Sequence, residues 1–306
     1  MKRDFLMITD FSSDEITETF KMAEMLKKYQ KEGKEYKPLK NKTMAMIFAK
    51  PSARTRISFE TGMYQLGGHA LYLAPTDIGI GKREAIKDIA KVISRYNDII
   101  MARLFEHRHI EELAKYASVP VINGLTDLTH PCQVMSDLFT IFEHKGTYQN
   151  LKIAFVGDGS NNVANSWVNI ASRIPLDLTI VTPKNCLPED NILNNAIKSG
   201  ISTINIEHDP LTGVKEADVI YTDVWVSMGQ ESLREEKIKN FRGFQVNECL
   251  VKNAKKDVIV MHCLPAHRGE EITDDVIDGP HSVVYDEAEN RMHVQKAIIL
   301  KLFNIF

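Results

Sequence analysis

KTMAMIFAKPSARTRISFE, residues 42–60, decides the fold. Its first half is a short apolar run suited to a buried strand, and a helical pattern, ISFETGMYQLGG (57–68), follows. Strand, bend and helix in that order open a crossover unit and predict a parallel sheet. Ser52, Ala53, Arg54 and Thr55 occupy the bend. There the unpaired backbone N–H groups and the helix dipole favour an anion. Two hydroxyls and a forked guanidinium suit a phosphate. Arg54 and Arg56 stand two residues apart and cannot share a helix face. Only one of them is therefore expected to meet a ligand directly and the other to pair with a buried carboxylate, the scaffold role that suits Arg56.

The same alternation runs outward in both directions. FSSDEITETFKMAEMLKKYQKEG (11–33) reads as an amphipathic helix with Ser and Asp caps, stopped at Gly33. HALYLA (69–74), NDIIMAR (97–103) and VPVINGL (119–125) read as strands, with helices REAIKDIAKVISRY (83–96) and EHRHIEELAKYAS (106–118) between them. After the helix HPCQVMSDLFTIFEHKG (130–146) a second series begins. Strands LKIAFVGDG (151–159), LDLTIVTP (176–183), ADVIYTDVW (217–225) and DVIVMHCLP (257–265) accompany the helix NNVANSWVNIASRI (161–174). DEAENRMHVQKAIILKLFNIF (286–306) has apolar residues at helical spacing. The expected class is α/β with two domains, each a parallel sheet flanked by helices, and an active site in the cleft facing their strand ends. The boundary falls in the helix around Ser136 to His144. The domains are then 1–138 and 139–286, with the helix 287–306 packing back on the first.

Composition excludes several classes. Hydrophobic residues make up 43% of 306 and charged residues 26%, which is enough apolar material for two cores. A net charge of -3 and a pI near 6.4 argue against nucleic acid as a partner. Asp4 and Asp10 interrupt any signal-peptide core, and no apolar run is long enough to span a bilayer, so neither export nor a membrane role is expected. Cys132, Cys186, Cys249 and Cys263 form no CxxC pair and read as free thiols in a reducing cytoplasm.

FVGDGSNN (155–162) resembles a dinucleotide turn, but Asn162 stands where the third glycine belongs, and LTIVTP ends without an acid for a ribose. A nicotinamide oxidoreductase is therefore disfavoured. Asn161 and Asn162 are left either as helix caps or as contacts to a small zwitterion. Three further loops follow strand ends: HPCQ (130–133) offers an imidazole and an amide, DVWVSMGQE (223–231) a carboxylate and a hydroxyl, and HCLPAHRGEEI (262–272) a thiol, with Pro265 suited to a cis bond. Their shared position at C-terminal strand ends points to a site.

S-A-R-T-R, H-P-C-Q, D-V-W-V-S-M-G and H-C-L-P, in this order, resemble the ornithine carbamoyltransferases of the transcarbamoylase family along nearly the whole chain. The resemblance implies carbamoyl transfer from carbamoyl phosphate to the δ-amine of L-ornithine, giving citrulline and phosphate, with no metal or organic cofactor, as a step of arginine biosynthesis or a urea-type cycle. It places Ser52, Ala53, Arg54, Thr55, Arg103, His130, Gln133, Cys263, Leu264 and Arg291 around carbamoyl phosphate, so Arg54 is the arginine of the bend expected at the ligand. Asn162, Asp223, Ser227 and Met228 fall around ornithine, and Arg103, His130 and Cys263 take the catalytic roles. It further implies a cytoplasmic homotrimer. The nearest alternative is a transcarbamoylase with another amine acceptor, putrescine or an N-acyl-ornithine; a binding protein that kept the fold without catalysis is disfavoured by the intact Arg103, His130 and Cys263.

On paper His130, Cys132, His262 and Cys263 are a two-His, two-Cys zinc set. His262 and Cys263 are adjacent, however, and in an extended backbone are expected to point to opposite sides. A covalent carbamoyl-thiol is a further option, but direct attack by the amine needs fewer steps. Two positions depart from the family pattern. Gly79 stands where relatives carry Gln or His reaching a neighbouring subunit's site, leaving Lys82, Arg83 or a backbone N–H as substitutes. Ala53 replaces a common threonine whose contribution comes through the backbone.

Overall fold

The computed structural model describes residues 2–79, 84–226, 232 and 234–305. The chain divides into two compact units, Met1–Ser136 with Glu289–Phe306, and Asp137–Ala288.

In the first unit the order is α1 (Ser13–Lys31), β1 (Thr43–Phe48), α2 (Ala53–Gln65), β2 (His69–Leu73), α3 (Pro75–Ile78), α4 (Ile86–Tyr96), β3 (Ile99–Arg103), α5 (His107–Tyr116) and β4 (Val121–Leu125). The strands form one parallel sheet ordered β2-β1-β3-β4. Met44 to Phe48 and Ile99 to Ala102 are fully buried, as strands covered on both faces must be. One face of the sheet packs on α4 and α5 through Ile89, Ile93, Ile110 and Leu113. α6 (Pro131–Lys145) carries the chain into the second unit.

That unit contains β5 (Lys152–Val156), α7 (Asn162–Ala171), β6 (Asp177–Val181), α8 (Asp190–Ser199), β7 (Thr203–Glu207), α9 (Pro210–Gly213), β8 (Val219–Thr222), α10 (Arg234–Phe241), α11 (Glu248–Val251), β9 (Ile259–His262) and α12 (Asp274–Ile277). Its sheet is also parallel, ordered β7-β6-β5-β8-β9, over a core that includes Val156, Ile220, Trp225, Phe241 and Val260. α13 (Val284–Leu302) then returns the chain to the first unit.

The strand order locates the functional loops. In the first sheet the direction of winding reverses between β1 and β3, and in the second between β5 and β8. At such points adjacent loops part and leave a crevice. The register sets Phe48 beside Arg103 and Val156 beside Thr222, so each pair of loops starts level.

Three local expectations change. α2 starts at Ala53, four residues before the apolar pattern at Ile57, because Ser52 caps it and draws the polar Arg54 and Thr55 into the first turn. Arg56 does not meet a buried carboxylate. It forms an exposed pair with Glu60 one turn on (3.2 Å) and lies 4.0 Å from the Tyr72 ring centre. β7 and α8 were not expected as elements: β7 is an edge strand with polar Thr203, Asn205 and Glu207, so it lacks the continuous apolar run of its buried neighbours.

Candidate active site

At the first crevice Ser52 has an extended backbone (φ -162°), and its hydroxyl accepts the Thr55 N–H at 3.3 Å. This cap leaves the first turn of α2 facing the loop after β3. Thr55 Oγ1 is 1% exposed as a residue and receives Arg291 Nη2 at 3.1 Å and Arg103 Nη1 at 3.4 Å, with Ser52 Oγ 3.1 Å away. Arg103 ends β3, and Arg291 comes from α13, some 236 residues from Thr55 in sequence. Both guanidiniums are at most 5% exposed. Two buried guanidiniums converging on the first turn of a helix favour an anion there. Arg54 is half-buried in the same turn and Ala53 is exposed.

His130 and Gln133 lie at the entrance to α6, both buried. Burial, and then the charges of Arg291 and Arg103, hold the His130 imidazole well below its usual value, so it is neutral at physiological pH. The neighbouring Cys132 is sealed in, its thiol pushed up to about 12 by burial.

At the second crevice Asp223 follows β8 and Cys263 follows β9, each one residue past its strand. Asp223 is 7% exposed. Its carboxyl accepts the Cys263 thiol at 3.1 Å, the Val224 N–H at 2.8 Å and the Asn161 amide at 3.2 Å. Burial raises the Asp223 carboxyl above its normal range, against the lowering influence of His262, the thiol and the Val224 N–H. Cys263 is pushed well above the usual thiol value, first by burial and then by Asp223. It is therefore a thiol that donates, not a thiolate that attacks.

Asn161, and not Asn162, is the cap of α7, accepting the Ala164 N–H at 2.7 Å while its amide reaches Asp223. Asn162 is the first residue of the helix and half-buried. Gly159 is explained by packing, since an added Cβ would lie 2.6 Å from the Cys186 carbonyl oxygen. Asp158 pairs with Lys237 of α10 at 2.6 Å. Ser227 and Met228, like Lys82 and Arg83, lie outside the described residues. Gly79 closes α3 in a left-handed conformation (φ 52°), where glycine is the natural residue.

The expectation that His262 and Cys263 diverge is not met. Asp223, His262 and Cys263 offer ligand atoms all within 4.8 Å of one another. Leu264, at φ 57° before a cis Pro265, turns its N–H back onto His262 Nδ1 at 2.9 Å. Nε2 then carries the hydrogen and meets Glu271 at 3.0 Å. Both ring nitrogens are engaged, which leaves His262 no lone pair for a metal.

Residues 3–143 match the carbamoyl-P binding domain model, and 149–302 the Asp/Orn binding domain model, of aspartate/ornithine carbamoyltransferase. The ornithine carbamoyltransferase of Syntrophus aciditrophicus is 54% identical over 299 residues, 98% of this chain and 99% of that one. The solved ornithine carbamoyltransferase of Pyrococcus furiosus superposes with a TM-score of 0.93 at 53% identity, covering 98% of this chain and 96% of the other. The anabolic enzyme of Campylobacter jejuni superposes with a TM-score of 0.94 at 41% identity, covering 99% of each. This chain belongs to the aspartate/ornithine carbamoyltransferase family.

Proposed function

We propose that the chain transfers the carbamoyl group of carbamoyl phosphate to the δ-amine of L-ornithine, giving citrulline and phosphate. The observation that carries this reading is the Thr55 hydroxyl under two buried guanidiniums at the start of α2, in a chain 54% identical to an ornithine carbamoyltransferase. The phosphate is held by Ser52, Ala53, Arg54, Thr55 and Arg291, where helix N–H groups and guanidinium charge offset the charge that builds on the leaving group. Arg103 and neutral His130 donate to the carbonyl oxygen as the amine attacks, and Gln133 holds the carbamoyl amide. The first unit thus serves carbamoyl phosphate and the second ornithine.

Asp223 takes the α-ammonium of ornithine, assisted by Asn162, Ser227 and Met228, so that the side chain is aimed at the carbonyl carbon. Cys263 stays protonated and orients Asp223. The high thiol value favours direct attack over a carbamoyl-thiol intermediate. The δ-amine must shed its proton before attack, and free alkyl amines titrate near ~10, so turnover rises toward alkaline pH.

The relative from Pyrococcus furiosus is named anabolic, and we assign this chain to arginine biosynthesis in the cytoplasm, as a homotrimer. The four free cysteines agree with a reducing compartment, and no described helix is long and apolar enough to cross a membrane. The deciding assay supplies carbamoyl phosphate with ornithine, putrescine or N-acetylornithine in turn. Citrulline from ornithine alone is expected, and its absence overturns the reading. Sedimentation velocity tests the trimer.

A further inference from the structure

Behind the ends of β8 and β9 lies an acid pair that the transfer reaction does not use. Asp137, in α6, and Glu287, in the first turn of α13, are both fully buried. Their carboxyl groups hydrogen-bond to each other. Carboxylates only accept, so such a bond requires that one of the two carry a proton. Glu287 also receives the Tyr221 hydroxyl on Oε1 at 3.3 Å and the His262 backbone N–H on Oε2 at 2.9 Å. Tyr221 stands two residues before Asp223 on one strand, and His262 one residue before Cys263 on the next.

We propose that Glu287 is a positioning residue for carbamoyl transfer: sharing one proton with Asp137, it ties β8 to β9 where they release Asp223 and Cys263. This rests on the carbamoyl-transfer reading of the same site. The strands already pair through Thr222 and His262, and the Glu287 carboxyl adds a side-chain tie at the point where that ladder stops. The thiol-to-carboxyl contact of 3.1 Å lies immediately beyond it.

The groups facing Glu287 in its own unit include Asp137 from α6, Tyr221 from β8, His262 from β9 and Cys263 from the loop after it. Burial, and then Asp137, raise Glu287 well above the usual carboxyl range, against the lowering effect of the His262 N–H and the Tyr221 hydroxyl. The α13 dipole would favour an anion there, but a second charge against Asp137 in a dry site costs more. Loss of the proton at alkaline pH converts the hydrogen bond into repulsion and loosens the tie. Turnover should therefore rise as the ornithine amine deprotonates and fall again as the acid pair loses its shared proton.

The test compares the full-length protein with Glu287→Gln and Glu287→Ala, each checked by circular dichroism. Glutamine keeps a donor for Asp137 and an acceptor for the His262 N–H but cannot ionise. We expect it to retain citrulline formation within about threefold at neutral pH and to lose the alkaline fall in kcat. Alanine should lower kcat/KM for ornithine at least about tenfold, with KM for carbamoyl phosphate much less affected. Infrared spectroscopy reads the proton directly: a buried protonated-carboxyl band present in the parent protein should vanish in Glu287→Gln and persist in Cys263→Ala. The proposal is overturned if the parent lacks that band, if the glutamine variant keeps the parent's alkaline limb, or if it falls as far as a folded alanine variant. Should alanine fail to fold, the glutamine profile and the infrared band decide. A parent that makes no citrulline refutes the carbamoyl-transfer reading, while the band still reports on the proton.

Discussion

Cys263 Sγ donates to Asp223 Oδ1 across 3.1 Å, joining the loops that leave β8 and β9. The pair is asymmetric in chemistry. Burial keeps the thiol protonated, and the thiol in turn lowers the cost of an ionised Asp223. A residue that sequence alone suggests as a nucleophile or metal ligand is here a hydrogen-bond donor to the residue that aims the substrate.

If so, serine should serve at position 263 better than alanine. Cys263→Ser keeps an O–H for Asp223 and should cost little in kcat/KM for ornithine. Cys263→Ala leaves one side of a buried carboxylate bare, a loss of roughly 1.5–3 kcal/mol, or about 10- to 100-fold. Steady-state kinetics checks the order. The same protonation predicts that iodoacetamide labels the exposed Cys249 before Cys263 at neutral pH, by peptide mass mapping. A fast-labelling Cys263 would restore the nucleophile.

Asp223 carries the pH dependence of ornithine binding. Its carboxyl titrates above its normal range in the empty site because it is buried. Only the ionised form pairs with the α-ammonium, so as pH falls through that raised value KM for ornithine should climb while KM for carbamoyl phosphate stays level. Asp223→Asn should show the high KM at every pH. A KM for ornithine that is flat with pH in the parent protein excludes Asp223 as the ammonium partner.

Much of this is legible in the amino-acid sequence. Buried parallel strands need continuous apolar runs, so TMAMIF, IIMAR and KIAFV announce themselves, and the loops after them mark the crevices. The edge strand β7 did not, because one of its faces meets water and its residues alternate. Arg56 departs from the expected buried pairing because its partner, Glu60, lies on the same helix and needs no burial. Local sequence also could not bring Arg291 to Thr55 over 236 residues; only the family resemblance placed it there. The Asp137–Glu287 pair has no local signal, since the two acids stand on different helices far apart in sequence and only the fold brings them together.

His130 should act as a neutral donor. Burial and two guanidiniums oppose its protonation, so it takes up a proton only at pH well below the ~6.5 of a free histidine. The acid limb of kcat should accordingly show no inflection near that value. His130→Ala, which removes a donor to the developing oxyanion, should lower kcat by about 10²- to 10³-fold with the fold intact by circular dichroism. Unchanged turnover in that variant removes His130 from the mechanism.

The two arginines of the opening stretch give a paired test on one helix. Arg54 is half-buried in the first turn of α2 beside Ser52 and Thr55. Arg56 is 47% exposed at its side chain, held by Glu60 and the Tyr72 ring. A surface pair one turn apart contributes at most about 0.5 kcal/mol. Arg56→Ala should therefore leave KM for carbamoyl phosphate and kcat within about twofold, with a thermal midpoint near that of the parent. Arg54→Ala removes a charge-assisted contact to the phosphate, worth roughly 1.5–3 kcal/mol, and should lower kcat/KM for carbamoyl phosphate by about 10- to 100-fold without changing the melting curve. If Arg56→Ala proves the more damaging of the two, the phosphate lies on the other face of α2 and the assignment of the whole bend fails.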